Sequence, residues 1–270
     1  MRRLLYATVM IVGILLSGAS AMATSMEGVA ALQRGDYREA LRILKPAARL
    51  GDPAAQYYLG QAYERGYGVD VNISLAVRWY AEAAGRGHVE ANVQLGKMNM
   101  LGRGLTRDSS RASEFFSFAS RSGHPEATYL LAVLYLEGEG VPRSPERGLG
   151  LLNQAANLNH PAALNHLASF YATGSGEISQ NRGRAYELFH MAAARGNGDA
   201  MFNLGRAYLT GDGLPQDSHQ AYLWLGLAGG YGSVSVQTAA ASLRRQAAQG
   251  VLRAERQVID ARIRAWTPLK

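Results

Sequence analysis

The chain has 270 residues, of which 47% are hydrophobic and 18% charged, so it is long enough to bury a large core. It contains no cysteine, which excludes disulfides, thiol catalysis and cysteine-ligated zinc. The formal net charge of +7 suits an anionic partner, but the basic residues are spread along the chain without a dense run, as on a solvated surface.

Residues 1–23 predict a secretory signal peptide. Arg2 and Arg3 precede an uncharged apolar run, Leu4 to Leu16, and small residues follow as far as Ala23. A membrane anchor is the alternative, but this run spans about 20 Å of helix, less than the roughly 30 Å hydrocarbon core. We therefore expect cleavage near residue 23, a periplasmic or secreted mature chain without stable membrane insertion, and no nucleic-acid partner.

Residues 24–54 predict one helix pair, with the turn Gly35-Asp36 between its helices. Residues 55–232 then predict five copies of a longer helix-pair unit, spaced by about 36 residues. Each first helix carries Leu-Gly or Leu-Ala, such as Leu59-Gly60, and ends in a Gly-x-Gly connector such as Gly66-x-Gly68. A fixed period of this size is typical of a solenoid of stacked helix pairs.

A polar residue precedes the second helix of every unit and is predicted to cap it. These residues are Asn72, Asp108, Ser144, Asn181 and Asp217. In the first unit, we expect Ala76, Trp79 and Ala83 to form the inner face of the second helix. Residues 233–270 predict two amphipathic helices that cap the array and carry several arginines on their polar faces. A membrane-surface role for this basic pair is the alternative.

Three histidines stand at equivalent places in successive units: His88, His124 and His160. A metal site would need their nitrogens within about 2.1 Å of one ion, whereas stacked helices lie about 8–10 Å apart. Asp52 and Asn197 occupy the same place in other units. The pattern therefore predicts helix caps at these positions, and we expect neither a metal nor a cofactor.

The unit Ala55–Gly87 resembles the Sel1-like repeat, a relative of the tetratricopeptide repeat, and the resemblance extends over five units to about Gly230. It implies an all-α fold, a right-handed α-solenoid of stacked antiparallel helix pairs, with residues 24–54 as a tetratricopeptide-like N-terminal pair. It also implies a protein-binding adaptor or regulator. Exported bacterial members that this chain resembles restrain membrane sensors or scaffold polysaccharide export, so we expect a membrane-associated protein partner.

Each first helix also carries one alanine at an equivalent place, which we call the repeat alanine: Ala55, Ala91, Ala127, Ala163 and Ala200. By the same resemblance, the concave face is lined by the residues two and six positions after the repeat alanine. The predicted partner-binding residues are Tyr57, Gln61, Lys97, Tyr129, Phe202 and Arg206. Tyr57, Tyr129 and Phe202 are expected to be aromatic anchors, with Lys97 and Arg206 steering charged partners.

Enzymatic motifs do not occur in the sequence. No lysine follows a serine in a Ser-x-x-Lys motif, and neither Gly-x-Ser-x-Gly nor His-Glu-x-x-His is present. We therefore expect no catalytic activity. A module that binds acidic polysaccharide of the cell envelope through exposed tyrosines and arginines remains the alternative to a protein-binding adaptor.

Overall fold

The computed structural model describes residues 25–175 and 178–269, and within these ranges every regular element is helical. The first helix, α1, covers residues 25–33. The helices that follow are α2 (Tyr37–Arg49), α3 (Pro53–Arg65), α4 (Ile73–Gly85), α5 (Val89–Leu101), α6 (Ser109–Arg121), α7 (Pro125–Glu137), α8 (Pro145–Asn157), α9 (Pro161–Thr173), α10 (Arg182–Ala194), α11 (Gly198–Thr210), α12 (Ser218–Tyr231), α13 (Val234–Ala247) and α14 (Arg253–Ala265). The predicted signal peptide, residues 1–23, lies outside the described residues.

The helices are uniform in length and come in pairs. Each of α2 to α11 has 13 residues, or about 20 Å of helix. We call α3, α5, α7, α9 and α11 the A helices, and α4, α6, α8, α10 and α12 the B helices that follow them. The connector after each A helix turns the chain back, which confirms the predicted all-α fold of stacked antiparallel helix pairs.

The described residues form two compact units. The first unit runs to Ala127 and includes Gly138–Pro142. The second unit consists of Thr128–Glu137 together with the chain from Arg143 onward. In the second unit α13 and α14, the two helices predicted within residues 233–270, pack against α12.

Side-chain caps fix where the helices begin. In every repeat, the residue before the B helix accepts a hydrogen bond from the backbone N–H three residues further along the chain. In α4, for example, Leu75 N donates to Asn72 Oδ1 at 2.9 Å. The five predicted caps all do this: Asn72, Asp108, Ser144, Asn181 and Asp217. The A helices end at glycines in the left-handed conformation, such as Gly66 with φ of 76°, where the absence of Cβ removes the strain.

The large inner residue of the B helix lies one position later than predicted. In α4, Tyr80 is fully buried whereas Trp79 is only half-buried, so the expectation for Trp79 is wrong. The ring of Tyr80 fills the space over Gly60, where an added Cβ would lie 2.7 Å from it. The small residue after the repeat leucine therefore opens a hole for the B-helix side chain. The residues equivalent to Tyr80 in the other B helices are also buried, namely Phe116, Leu152, Phe189 and Leu225, although in α10 the preceding Leu188 is buried as well.

Candidate interaction surface

One side of each A helix keeps contact with solvent. It consists of the residues one position before the repeat alanine and three, six and ten positions after it, which lie on one face at helical spacing. The helix-A stripe is our name for this face, defined on each A helix separately, and all its members are half-buried or exposed. It comprises Ala54, Tyr58, Gln61 and Arg65 on α3; Glu90, Gln94, Lys97 and Leu101 on α5; Glu126, Leu130, Val133 and Glu137 on α7; Ala162, His166, Ser169 and Thr173 on α9; and Asp199, Asn203, Arg206 and Thr210 on α11.

Tyr57, predicted as an aromatic anchor, is turned away from this stripe. Only 8% of Tyr57 is exposed, and its ring stacks on His88 with centroids 4.6 Å apart and planes 18° apart. Its hydroxyl accepts a hydrogen bond from Gln61 Nε2 at 2.8 Å, and burial raises the pKa of Tyr57 above its usual range. The expectation of an exposed anchor is therefore wrong at Tyr57, because the ring stabilises the contact with the next A helix.

Tyr129 and Phe202 are better exposed than Tyr57 but also serve the core. Tyr129 stacks on His160 with ring centroids 4.9 Å apart, repeating the Tyr57–His88 arrangement in the second unit. It also meets His166 edge-on at 6.3 Å. Phe202 is half-buried and packs against the hydrophobic core of the second unit. These two rings therefore present only part of their surface to a partner.

The predicted residues six positions after the repeat alanine do lie on the stripe. Gln61 is half-buried, and Arg206 is exposed on α11. Lys97 Nζ forms an ion pair with Glu126 Oε1 at 2.6 Å, joining α5 to the first turn of α7. Both side chains are partly exposed, so this pair contributes at most about 1 kcal/mol to stability. Whether any of these residues binds a partner stays a prediction.

The sequence-based prediction missed the residues three positions after the repeat alanine, which occupy the middle of the stripe. These residues are Tyr58, Gln94, Leu130, His166 and Asn203. The sequence does indicate this position. Glu90 stands four residues before Gln94, and Asp199 stands four residues before Asn203, so these charged side chains mark the same helix face as solvent-facing. The chemistry at this position changes from aromatic to amide to aliphatic, whereas the repeat alanine is fully buried in every A helix.

The three periodic histidines cap the A helices, as predicted. His88 Nδ1 accepts a hydrogen bond from Ala91 N at 3.3 Å, and His160 Nδ1 accepts one from Ala163 N at 3.4 Å. Asn197 makes the equivalent bond to Ala200 N at 2.8 Å. Burial lowers the pKa of His88 below its usual value, which favours the neutral ring that this bond requires.

Two kinds of feature were sought in the part of the chain that the structure describes: clusters of metal ligands and membrane-spanning helices. Across residues 25–175 and 178–269, no three histidine, aspartate or glutamate side chains come together as metal ligands would. In the same ranges, no helix combines the length and the apolar character needed to cross a bilayer. The stripe is thus a mixed surface of amide, hydroxyl, charged and aliphatic groups, suited to binding.

Comparison with known proteins follows the repeat boundaries seen in the structure. The Sel1 repeat family matches the chain six times, over residues 19–52, 53–88, 89–124, 125–160, 161–197 and 198–229. The N-terminal helix pair is thus matched as a further repeat of the same family, and its match begins within the predicted signal peptide. A comparison with curated proteins finds no match.

Two solved structures illustrate the likeness. A Sel1 repeat protein from Oxalobacter formigenes is 26% identical, with a TM-score of 0.76 over 89% of this chain and 99% of that chain. A protective antigen present in uropathogenic Escherichia coli strains, described as having an SLR fold, is 21% identical. Its TM-score is 0.52 over 89% of this chain and 75% of that chain. The second likeness bears on the fold alone.

Proposed function

Because the chain belongs to the Sel1 repeat family, we propose that it is a non-catalytic adaptor that binds a protein partner through the helix-A stripe. Sel1 repeat proteins generally mediate protein–protein interaction. The proposal places the chain in the periplasm after export and makes its partner a component of the cell envelope, such as a membrane sensor or part of a polysaccharide-export system. The signal-peptide pattern of residues 1–23 supports this location.

One observation carries the proposal: the stripe varies in chemistry at a constant place in the fold. At the position six residues after the repeat alanine, the side chains are amide, ammonium, aliphatic, hydroxyl and guanidinium in turn. These residues are Gln61, Lys97, Val133, Ser169 and Arg206. All are at least partly exposed, whereas the alanine and leucine beside them are buried in every repeat. A surface fitted to one partner obtains its specificity from such differences between neighbouring contacts.

The test is affinity capture from chemically crosslinked cell envelope, with a stripe variant and a matched control. The stripe variant carries Gln94→Ala, Lys97→Ala and Arg206→Ala. The control variant carries Arg111→Ala, Arg121→Ala and Gln154→Ala at exposed positions of B helices. It therefore also loses two cations and one amide, but away from the stripe. Any partner captured is then purified, and its Kd for the three proteins is measured.

We expect the wild type and the control to capture the same envelope protein and to bind it with equal Kd. The Kd of the stripe variant for that protein should be at least tenfold higher. Equal capture by all three proteins would place the binding site elsewhere and refute the stripe. Capture of no protein, together with salt-sensitive binding to an acidic polysaccharide, would refute the adaptor and favour the polysaccharide-binding alternative.

A further inference from the structure

The basic residues are spread along the chain, but their net charge is concentrated at one end. Residues 24–232 contain 19 basic and 19 acidic side chains, so this segment is formally neutral. Residues 233–270 contain seven basic and two acidic side chains, a net charge of +5. The remaining two charges are Arg2 and Arg3. Residues 233–270 therefore carry the whole excess charge of the chain outside its predicted leader, and all of it but that of Lys270 lies on α13 and α14.

Both acidic residues of this segment are engaged within the fold. Asp260 accepts from the Arg244 guanidinium at 2.5 Å, and that guanidinium also lies over the ring of Tyr222 at 4.2 Å. Glu255 accepts from Leu252 N at 2.9 Å and pairs with His219 at 3.1 Å. Hydrogen bonding from Leu252 N is the main reason that the pKa of Glu255 is lowered, so this carboxylate stays ionised and occupied.

Other arginines of the segment are directed to solvent. The exposed members are Arg245, Arg253, Arg262 and Arg264. Among residues 25–175 and 178–269, no carboxylate lies within ion-pair distance of any of these four side chains. Their charges are therefore available to an anion outside the described chain.

The exposed face of α14 has an apolar centre with arginines at both edges. Ala254, Val258, Ala261 and Ala265 follow at spacings of four, three and four residues, which places them in one line along the helix. At about 100° per residue, Arg253 and Arg264 flank this line on one side and Arg262 flanks it on the other. The opposite face of α14 packs inward through Ile259, which is 6% exposed.

We propose that this face of α14 is a peripheral docking surface for an anionic phospholipid bilayer. An amphipathic helix with basic edges lies along the membrane interface, with its apolar centre facing the acyl boundary and its arginines among the headgroup phosphates. Val258, within the apolar line, is 63% exposed, and the three alanines of the line are exposed as well. Burying such side chains favours a bilayer over a hydrated polysaccharide, which offers no apolar phase. The surface is independent of the helix-A stripe.

The test measures partitioning of the full chain onto vesicles of phosphatidylcholine alone and of phosphatidylcholine mixed with anionic phosphatidylglycerol. The predicted leader, with Arg2 and Arg3, is common to all variants, so its contribution cancels when the ratio of the two partition coefficients is compared between a variant and wild type. Each basic residue at an anionic surface strengthens binding by about fivefold, so the variant Arg253→Gln/Arg262→Gln/Arg264→Gln should lower this ratio by roughly 100-fold. High salt should abolish the preference of the wild type.

A matched control removes three exposed arginines elsewhere, at Arg49, Arg111 and Arg121, and should leave the ratio within about twofold of wild type. Val258→Ser should weaken binding to anionic vesicles without changing the charge. No preference for anionic vesicles, or equal losses in the two arginine variants, would overturn the proposal. Binding to polygalacturonate that falls in the α14 variant, with no vesicle binding, would overturn it in favour of an acidic polysaccharide.

Discussion

Replacing Gly96 by alanine should destabilise the protein, although alanine is the better helix former. An added Cβ at Gly96 would lie 2.6 Å from Cδ1 and 2.9 Å from Cζ of Phe116. Phe116 is fully buried, so its ring has no route to solvent. Overpacking of this kind costs about 1–3 kcal/mol, and the gain in helix propensity returns about 1 kcal/mol. The difference is a net loss of up to about 2 kcal/mol, and contact with a rigid ring places the expected value in the upper half of that range.

Another repeat of the chain suggests a substitution that should compensate for Gly96→Ala, and Gly150 offers a control. The third repeat has Ala132 where the second has Gly96, and the opposing B-helix residue is Leu152. The double variant Gly96→Ala/Phe116→Leu should therefore lose less stability than the sum of its single variants, with a coupling of about 1 kcal/mol. A Cβ at Gly150, within α8, would meet nothing within 4 Å, so Gly150→Ala should gain about 0.5–1 kcal/mol.

Urea unfolding followed by circular dichroism measures these four variants against wild type, and hydrogen exchange locates the change. The loss in Gly96→Ala should appear first as faster exchange in α5 and α6, since each helix pair of an array depends mainly on its neighbours. A rise in stability equal to that of Gly150→Ala would refute the reasoning, because Gly96 would then be an ordinary surface glycine. Strict additivity of the double variant would refute the proposed complementarity.

The pKa of His88 is lowered by burial, so the unfolded state binds more protons and stability falls as the pH drops below the ordinary value of 6.5. His88→Asn, which keeps a capping acceptor, should make the pH profile of the urea midpoint shallower. Asp108→Ala should cost about 1 kcal/mol in thermal unfolding by removing the α6 cap, whereas Asp108→Asn should cost little. Tyr57→Ala should cost about 3–5 kcal/mol in urea unfolding, whereas Tyr57→Phe, which loses only the bond from Gln61, should cost about 1 kcal/mol.

The helix boundaries were predictable because their causes are local in sequence. A capping side chain such as Asp108 bonds a backbone N–H only three residues away, and Gly66 adopts a left-handed conformation that other residues disfavour. The histidine caps were predictable for the same reason, since Asp52 and Asn197 show what the position requires. Each of these features depends on the chain within one helical turn.

The rotation of each helix about its axis was not predictable in this way. Ala76, Trp79 and Ala83 fit one helix face, but Ala76, Tyr80 and Ala83 fit it equally well, and both large residues are aromatic. The space over Gly60 on α3 is filled by the Tyr80 ring, so the orientation of α4 depends on a residue of a different helix. The same error of one position placed Tyr57 on the surface and overlooked its neighbours in the stripe.

Charge separates the two proposed surfaces in a way that experiment can use. Residues 24–232 are formally neutral, and Lys97 on the stripe is already paired with Glu126, which leaves Arg206 as the cation of the predicted partner-binding set without such a pair among the described residues, so stripe binding should depend less on salt than binding through α14. The arginines of the α14 face have no carboxylate partner within residues 25–175 and 178–269, and attachment of this face to an anionic bilayer should weaken steeply as salt rises. Salt that releases the chain from vesicles should therefore leave a stripe-bound partner in place. Simultaneous loss of both interactions with salt would mean that the arginines of residues 233–270 also hold the partner.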